Sequence, residues 1–150
     1  MTLEPDLASQ KLRSGLKPVV HQFPNDSQEA QYCRNEIERL LQEGVDPRQI
    51  AVLHRRRPGV RELSKVLRGL DVQVDTFHAL KGLEFRVVFL CGMQECFAGG
   101  GDWNDERLSE ERRLVYMAMT RAREQLYLNC AGKWPEQLNG MLGKVERVVI

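Results

Sequence analysis

The run Arg86 to Cys91, RVVFLC, has no polar residue after its first position. So short an apolar stretch reads as a β-strand buried on both faces. Ile50 to His54, IAVLH, reads the same way. Strands without a wet face belong to a mostly parallel sheet with helices on both sides. The surrounding sequence alternates accordingly. Val19 to Phe23 reads as a strand. A helix then runs from a cap at Ser27 to about Glu43, with Ala30, Cys33, Ile37, Leu40 and Leu41 on one stripe and Gly44 ending it. Gly59 to Gly69 reads as a short helix, Val72 to Phe77 as a strand, Gln125 to Asn129 as a last strand, and the tail after Pro135 as weakly helical. Residues 1–17 are polar and aperiodic, a loose lead-in. Right-handed crossovers give a doubly wound α/β layer, in which ligands sit beyond the carboxyl ends of the strands.

Composition narrows the class. At 150 residues, 42% hydrophobic and 29% charged, the chain fits one globular domain. Its 22 basic and 21 acidic residues nearly cancel, so any nucleic-acid site must be a local groove and not a global charge. Cys33, Cys91, Cys96 and Cys130 are widely spaced and contain no CxxC pair, which predicts reduced, buried thiols and neither a zinc site nor a disulfide frame. No metal site is expected. No apolar run approaches membrane-spanning length, and a cytoplasmic location without membrane contact is the expectation.

Glu110 to Leu128, EERRLVYMAMTRAREQLYL, carries the first chemical signal. Ser109 is a candidate N-cap, Glu110 and Glu111 suit the first turn, and Leu114 to Met119 is apolar almost all round. Continued helical spacing sets Arg121 on the face of Leu114, Met117 and Ala118. A guanidinium there needs an anion, which is either a carboxylate of this chain or a ligand such as phosphate. Arg55, Arg56 and Arg57 follow the strand ending at His54; they form either a solvated turn or, through Arg55, a phosphate contact. Between two strands, Thr76 to Phe85 (TFHALKGLEF) gathers Thr76, His78, Lys81, Gly82 and Glu84 at what reads as the same edge. Glu84 suits a ribose hydroxyl or, more blandly, an ion pair with Lys81 or Arg86. His78 alone is most simply a loop histidine. The Gly-rich acidic loop Ala98 to Arg107 reads as mobile. Neither GxxxxGK[ST] nor GxGxxG is present.

Taken in order, these blocks resemble the second RecA-like motor domain (2A) of superfamily 1 DNA helicases of the UvrD/Rep/PcrA type. Ile50 to Arg55 resembles motif IV, Thr76 to Leu90 motif V with its T-x-H-x-x-KGLEF core, and Glu110 to Leu128 motif VI with EERRL and TRA. The resemblance implies a RecA-like domain over 18–150 that lacks a phosphate loop and, with twenty residues between Arg55 and Thr76, lacks the 2B insertion. It implies that Arg121 and Arg55 act as arginine fingers on ATP, that His54 stacks on adenine, and that Gly82 and Glu84 lie on the nucleotide side. Thr76 and His78 would face single-stranded DNA, with Lys81 between the two sites. The Mg²⁺ ligands and Walker motifs would lie on an N-terminal RecA-like domain of the same parent polypeptide. The expectation is thus the C-terminal part of an ATP-dependent DNA helicase or translocase, inactive as an ATPase alone. The rival is a stand-alone, non-catalytic module that binds nucleic acid or protein.

Overall fold

The computed structural model describes residues 18–79 and 82–142, and the backbone of a strand over 146–149. The lead-in 1–17 and Lys81 lie outside the described residues. Six strands form one sheet: β1 (Val19–Phe23), β2 (Ile50–His54), β3 (Gln73–Thr76), β4 (Phe85–Cys91), β5 (Ala122–Ala131) and β6 (Glu146–Val149). Their order is β3-β2-β4-β5-β1-β6, and every pairing is parallel. The helices are α1 (Asp26–Gln42), α2 (Arg57–Val66), α3 (Asp105–Met119) and the short α4 (Asn139–Leu142).

The central strands are apolar throughout because they serve two cores. On one face Leu53, Leu90 and Leu128 pack with Leu114, Val115, Ala118 and Met119 of α3. On the other, Val52, Phe89 and Tyr127 pack with Cys33, Ile37 and Leu40 of α1 and Leu63 of α2. Period-two alternation sends neighbouring residues of each strand to opposite helix layers. Phe89 and Tyr127 stack with centroids 4.3 Å apart on the α1 side, a contact worth about 1 kcal/mol beyond its area.

Several boundaries differ from the sequence reading, each for a local reason. Asn25, not Ser27, caps α1, its side chain accepting the Gln28 N–H at 2.9 Å. Asn104, not Ser109, caps α3, accepting the Arg107 N–H at 2.8 Å. That helix also stops sooner: Thr120 is its C-cap and Arg121 lies in the turn before β5. Arg121 therefore does not continue the helical face of Leu114 and Ala118. The chain after Pro135 makes a 3-10 turn and the one-turn α4, then an edge strand beside β1, so the expected helical tail ends in β6. All four cysteines are buried free thiols.

Candidate functional site

β2 delivers Arg55 to the carboxyl edge of the sheet, where its N–H donates to the Cys91 carbonyl at 3.1 Å. The side chain turns towards α3. Its Nε donates to Glu111 Oε2 at 2.9 Å and its Nη2 to Oε1 at 2.8 Å. This two-pronged geometry is the strong form of the arginine–carboxylate pair. The side chains are 17% and 7% exposed, so the pair is largely dry. Glu111 Oε2 also accepts the Phe97 N–H at 3.0 Å. Phe97 holds φ +60°, a left-handed conformation costing an aromatic residue about 1–3 kcal/mol. Burial alone would raise the Glu111 pKa, but Arg55 and the Phe97 N–H outweigh it and hold the carboxyl below its ordinary value. A buried arginine with its own carboxylate thus exists here, but the arginine is Arg55.

Beside this pair a cleft of about 530 Å³ opens, lined among others by Arg55, His78, Trp103, Arg107, Arg113 and Met117. His78 is exposed there, whereas Thr76, paired with His54 across β2 and β3, is buried and does not line the cleft.

His54 faces the other way. Its Nδ1 accepts the Arg56 N–H at 2.9 Å, so a neutral ring carries its proton on Nε2. The ring lies against the backbones of Gly59 and Gly92, where a Cβ on either would fall 2.2 Å from it. It is 6% exposed, and burial lowers its pKa. Arg55 and His54 therefore do not share a pocket. His54 instead lines a pocket of about 310 Å³ with Glu29. Glu29 is 2% exposed, accepts the Gly92 N–H at 3.1 Å, and is pushed up to about 8 by burial. Sequence reasoning missed both buried glutamates. Glu29, Cys33 and Ile37 recur at four-residue spacing, which could have placed Glu29 on the buried face.

Arg121 stands at the opposite edge. Its Nε donates to the Met117 carbonyl at 3.2 Å, Nη1 to the Leu83 carbonyl at 3.0 Å and Nη2 to Thr120 Oγ1 at 3.3 Å. Among the described residues these acceptors are neutral oxygens, and two belong to the last turn of α3, where the helix dipole favours a cation. The Phe85 N–H donates to the Arg121 carbonyl at 2.8 Å, tying the beginning of β4 to this turn. Gly82, at φ +80°, and the exposed Glu84 lie on the same connection. The two sites lie at opposite ends of β4, whose seven residues put about 23 Å between them. Along α3 the eight-residue rise from Glu111 to Met119 gives about 12 Å, and Arg121 follows two residues later.

The structure therefore splits the expected constellation. Thr76 and His78 stay at the carboxyl edge with Arg55, while Gly82 and Glu84 lie at the amino edge with Arg121. The cause is topological, because β3 and β4 are both parallel to β2, so the connection between them must travel back along the sheet.

A parallel α/β sheet with this order and two helix layers defines the class, and the comparisons say what the chain is similar to. A crystal structure of the C-terminal domain of a possible DNA helicase from Lactobacillus plantarum WCFS1 superposes with TM-score 0.71 over 96% of this chain and 92% of that one. At 19% identity, that likeness establishes the fold. The model of the UvrD-like helicase C-terminal domain family matches residues 67–133, from the end of α2 through β5. ATP-dependent DNA helicase PcrA of Bacillus subtilis (strain 168) is 50% identical over 58 residues, which is 37% of this chain and 8% of PcrA. ATP-dependent DNA helicase Rep of Escherichia coli (strain K12) is 48% identical over 57 residues, again 37% of this chain and 8% of Rep. The chain resembles the C-terminal domain of UvrD/Rep/PcrA-like DNA helicases, and the aligned part spans under a tenth of the length of these relatives. His54 and Arg55 lie outside the family match; Glu84, Glu111 and Arg121 lie within it. Among the described residues no helix is long and apolar enough to cross a membrane, and no group of three or more His, Cys, Asp and Glu could hold a metal ion.

Proposed function

We propose that this chain is the C-terminal motor part of an ATP-dependent DNA helicase or translocase, and that Arg121 is its arginine finger. The observation that carries the reading is the Arg121 guanidinium, half-buried and held by neutral oxygens, with no carboxylate of the described chain against it. A fixed cation with unneutralised charge suits an oxyanion, and in phosphoryl transfer such a group stabilises charge that develops on the transferred phosphate. Gly82 and Glu84, on the connection that Arg121 clamps, form the rest of the nucleotide side. Arg55, paired with Glu111 at the far end of β4, and His54, seated against Gly59 and Gly92, do not join this nucleotide side as the chain is folded.

ATP with Mg²⁺ is the cofactor of this reading. The chain carries no phosphate loop, so the triphosphate cradle and Mg²⁺ ligands belong to an N-terminal RecA-like domain of the parent polypeptide. Single-stranded DNA follows the carboxyl edge past the exposed His78, while Thr76 stays buried in β3 and does not face it. This chain alone hydrolyses no ATP and binds DNA weakly and with strong salt dependence. The test is the size of the native polypeptide in source cells, followed by its DNA-stimulated ATPase. A band several times larger than 17.3 kDa with such activity supports the motor reading. A band at that mass means a non-catalytic binding module.

A further inference from the structure

Segment 98–107, from the turn after β4 into the first turn of α3, carries none of the motifs that the helicase resemblance assigns. It is nonetheless built around one side chain. The Arg107 guanidinium lies over the Trp103 indole, its Cζ 3.6 Å from the ring centroid. Nη1 donates to the Gly100 and Asp102 carbonyls at 3.0 and 3.2 Å. The indole N–H donates to the Gly99 carbonyl at 3.3 Å, and Phe97 supports the ring from 5.9 Å. Gly99 and Gly101, at φ +99° and +93°, curl the backbone round the guanidinium; a Cβ at Gly101 would stand 3.3 Å from Nη1. The loop that reads as mobile from its composition is thus a cradle for a flat, oriented arginine.

Holding the loop together needs only the inner edge of that guanidinium. Both oxygens it meets are neutral carbonyls, and the side chain stays half-exposed in the cleft. The cleft is also lined by Arg113 and exposed His78, and by Arg55 and Arg56, which are paired with Glu111 and Glu95. Its acidic lining residues are Glu110 and Glu111, and Glu111 is committed to Arg55. Asp105 and Glu106 occupy the first turn of α3, where the dipole favours them, and do not line the cleft. A planar cation on an aromatic floor, in a groove of positive balance, suits a ligand that alternates flat rings with phosphates.

We propose that Arg107, laid on Trp103, is a nucleotide contact for single-stranded DNA: its outer face stacks one base and its outward N–H groups meet the adjoining phosphate. Guanidinium planes stack on unpaired bases, and their N–H forks match phosphate oxygens. Trp103 is a positioning residue that keeps the plane rigid. The inference rests on the DNA-track reading above and adds a contact to it outside the helicase motifs.

The test is binding of a labelled oligothymidylate to the 150-residue chain at rising salt, with melting followed by circular dichroism. Arg107→Gln is expected to weaken binding about tenfold. It should also lower the slope of log affinity against log salt by about 0.7, the signature of one lost phosphate contact. Arg107→Lys keeps the charge without the plane, so it should lose affinity while retaining the slope. If Arg107→Gln does not fold, the lysine variant decides by the same loss of affinity. Unchanged affinity and slope in a folded Arg107 variant overturn the proposal. If those variants bind normally while His78→Ala weakens binding, this contact alone is wrong. If the unaltered chain binds no oligonucleotide at low salt, the DNA-track reading fails and takes this contact with it.

Discussion

Arg55 and Arg121 answer the same electrostatic problem in opposite ways. Arg55 leaves the carboxyl end of β2 and meets a carboxylate that fits its fork; Arg121 precedes the amino end of β5 and meets carbonyls and a hydroxyl. The first is neutralised within the chain and holds α3 to the sheet edge. The second meets only neutral oxygens among the described residues, and in the proposed reading its charge serves the nucleotide. Two half-buried arginines thus mean different things according to the charge of their acceptors, and the paired one is the weaker candidate for a ligand contact.

The largest expected effect separates them by stability. Arg55→Ala leaves Glu111 buried without its partner and should cost about 3–5 kcal/mol in denaturant unfolding. Arg55→Met with Glu111→Leu should recover most of that loss, because an apolar pair removes both charges together. If the single variant is near neutral, the pair is not a structural hub.

A second contrast sets Glu111 against Glu29, two buried glutamates with opposite pH signs. Glu111 has a depressed pKa, so its contribution is present above the ordinary carboxylate value and is lost as pH falls through its folded pKa. Glu29 is raised to about 8, so the folded state keeps a proton that the unfolded chain has released. Its contribution is complete below the unfolded value of 4.5 and declines as pH rises towards 8. At roughly 1.4 kcal/mol per pH unit, the decline amounts to a few kcal/mol. Glu29→Gln should therefore flatten stability between those limits and raise the melting temperature at the alkaline end. A slope unchanged by that substitution contradicts the buried, protonated state.

The smallest expected effect is on Arg121. Arg121→Gln in the isolated chain should cost about 1 kcal/mol, since its carbonyl partners sit near solvent and can rebind water. A loss as large as that of Arg55→Ala would make Arg121 a structural staple instead.

The strands were legible because burial on both faces leaves no polar position in IAVLH or RVVFLC. Motifs V and VI were legible as residue strings. The grouping of their side chains was not, because it depends on which way the chain runs. Thr76 and Glu84 are eight residues apart, yet parallel pairing sends them to opposite edges. The Arg55–Glu111 pair joins positions 56 residues apart, beyond any local periodicity. Arg121 fell off its predicted helical face because α3 ends at Met119, and no strong stop signal marks that point. Edge strand β6 leaves little trace, since Glu146 to Val149 is short and has neither the length nor the apolar continuity of β2 and β4.

The most direct test of the central contrast is steady-state, DNA-stimulated ATP hydrolysis by the parent protein carrying Arg121→Ala, alongside the melting temperature of the same variant. A fall in kcat of about 10³-fold or more, with melting nearly unchanged, is the predicted result for an arginine finger. Turnover close to that of the unaltered protein would contradict it and leave Arg121 as a clamp between α3 and β4.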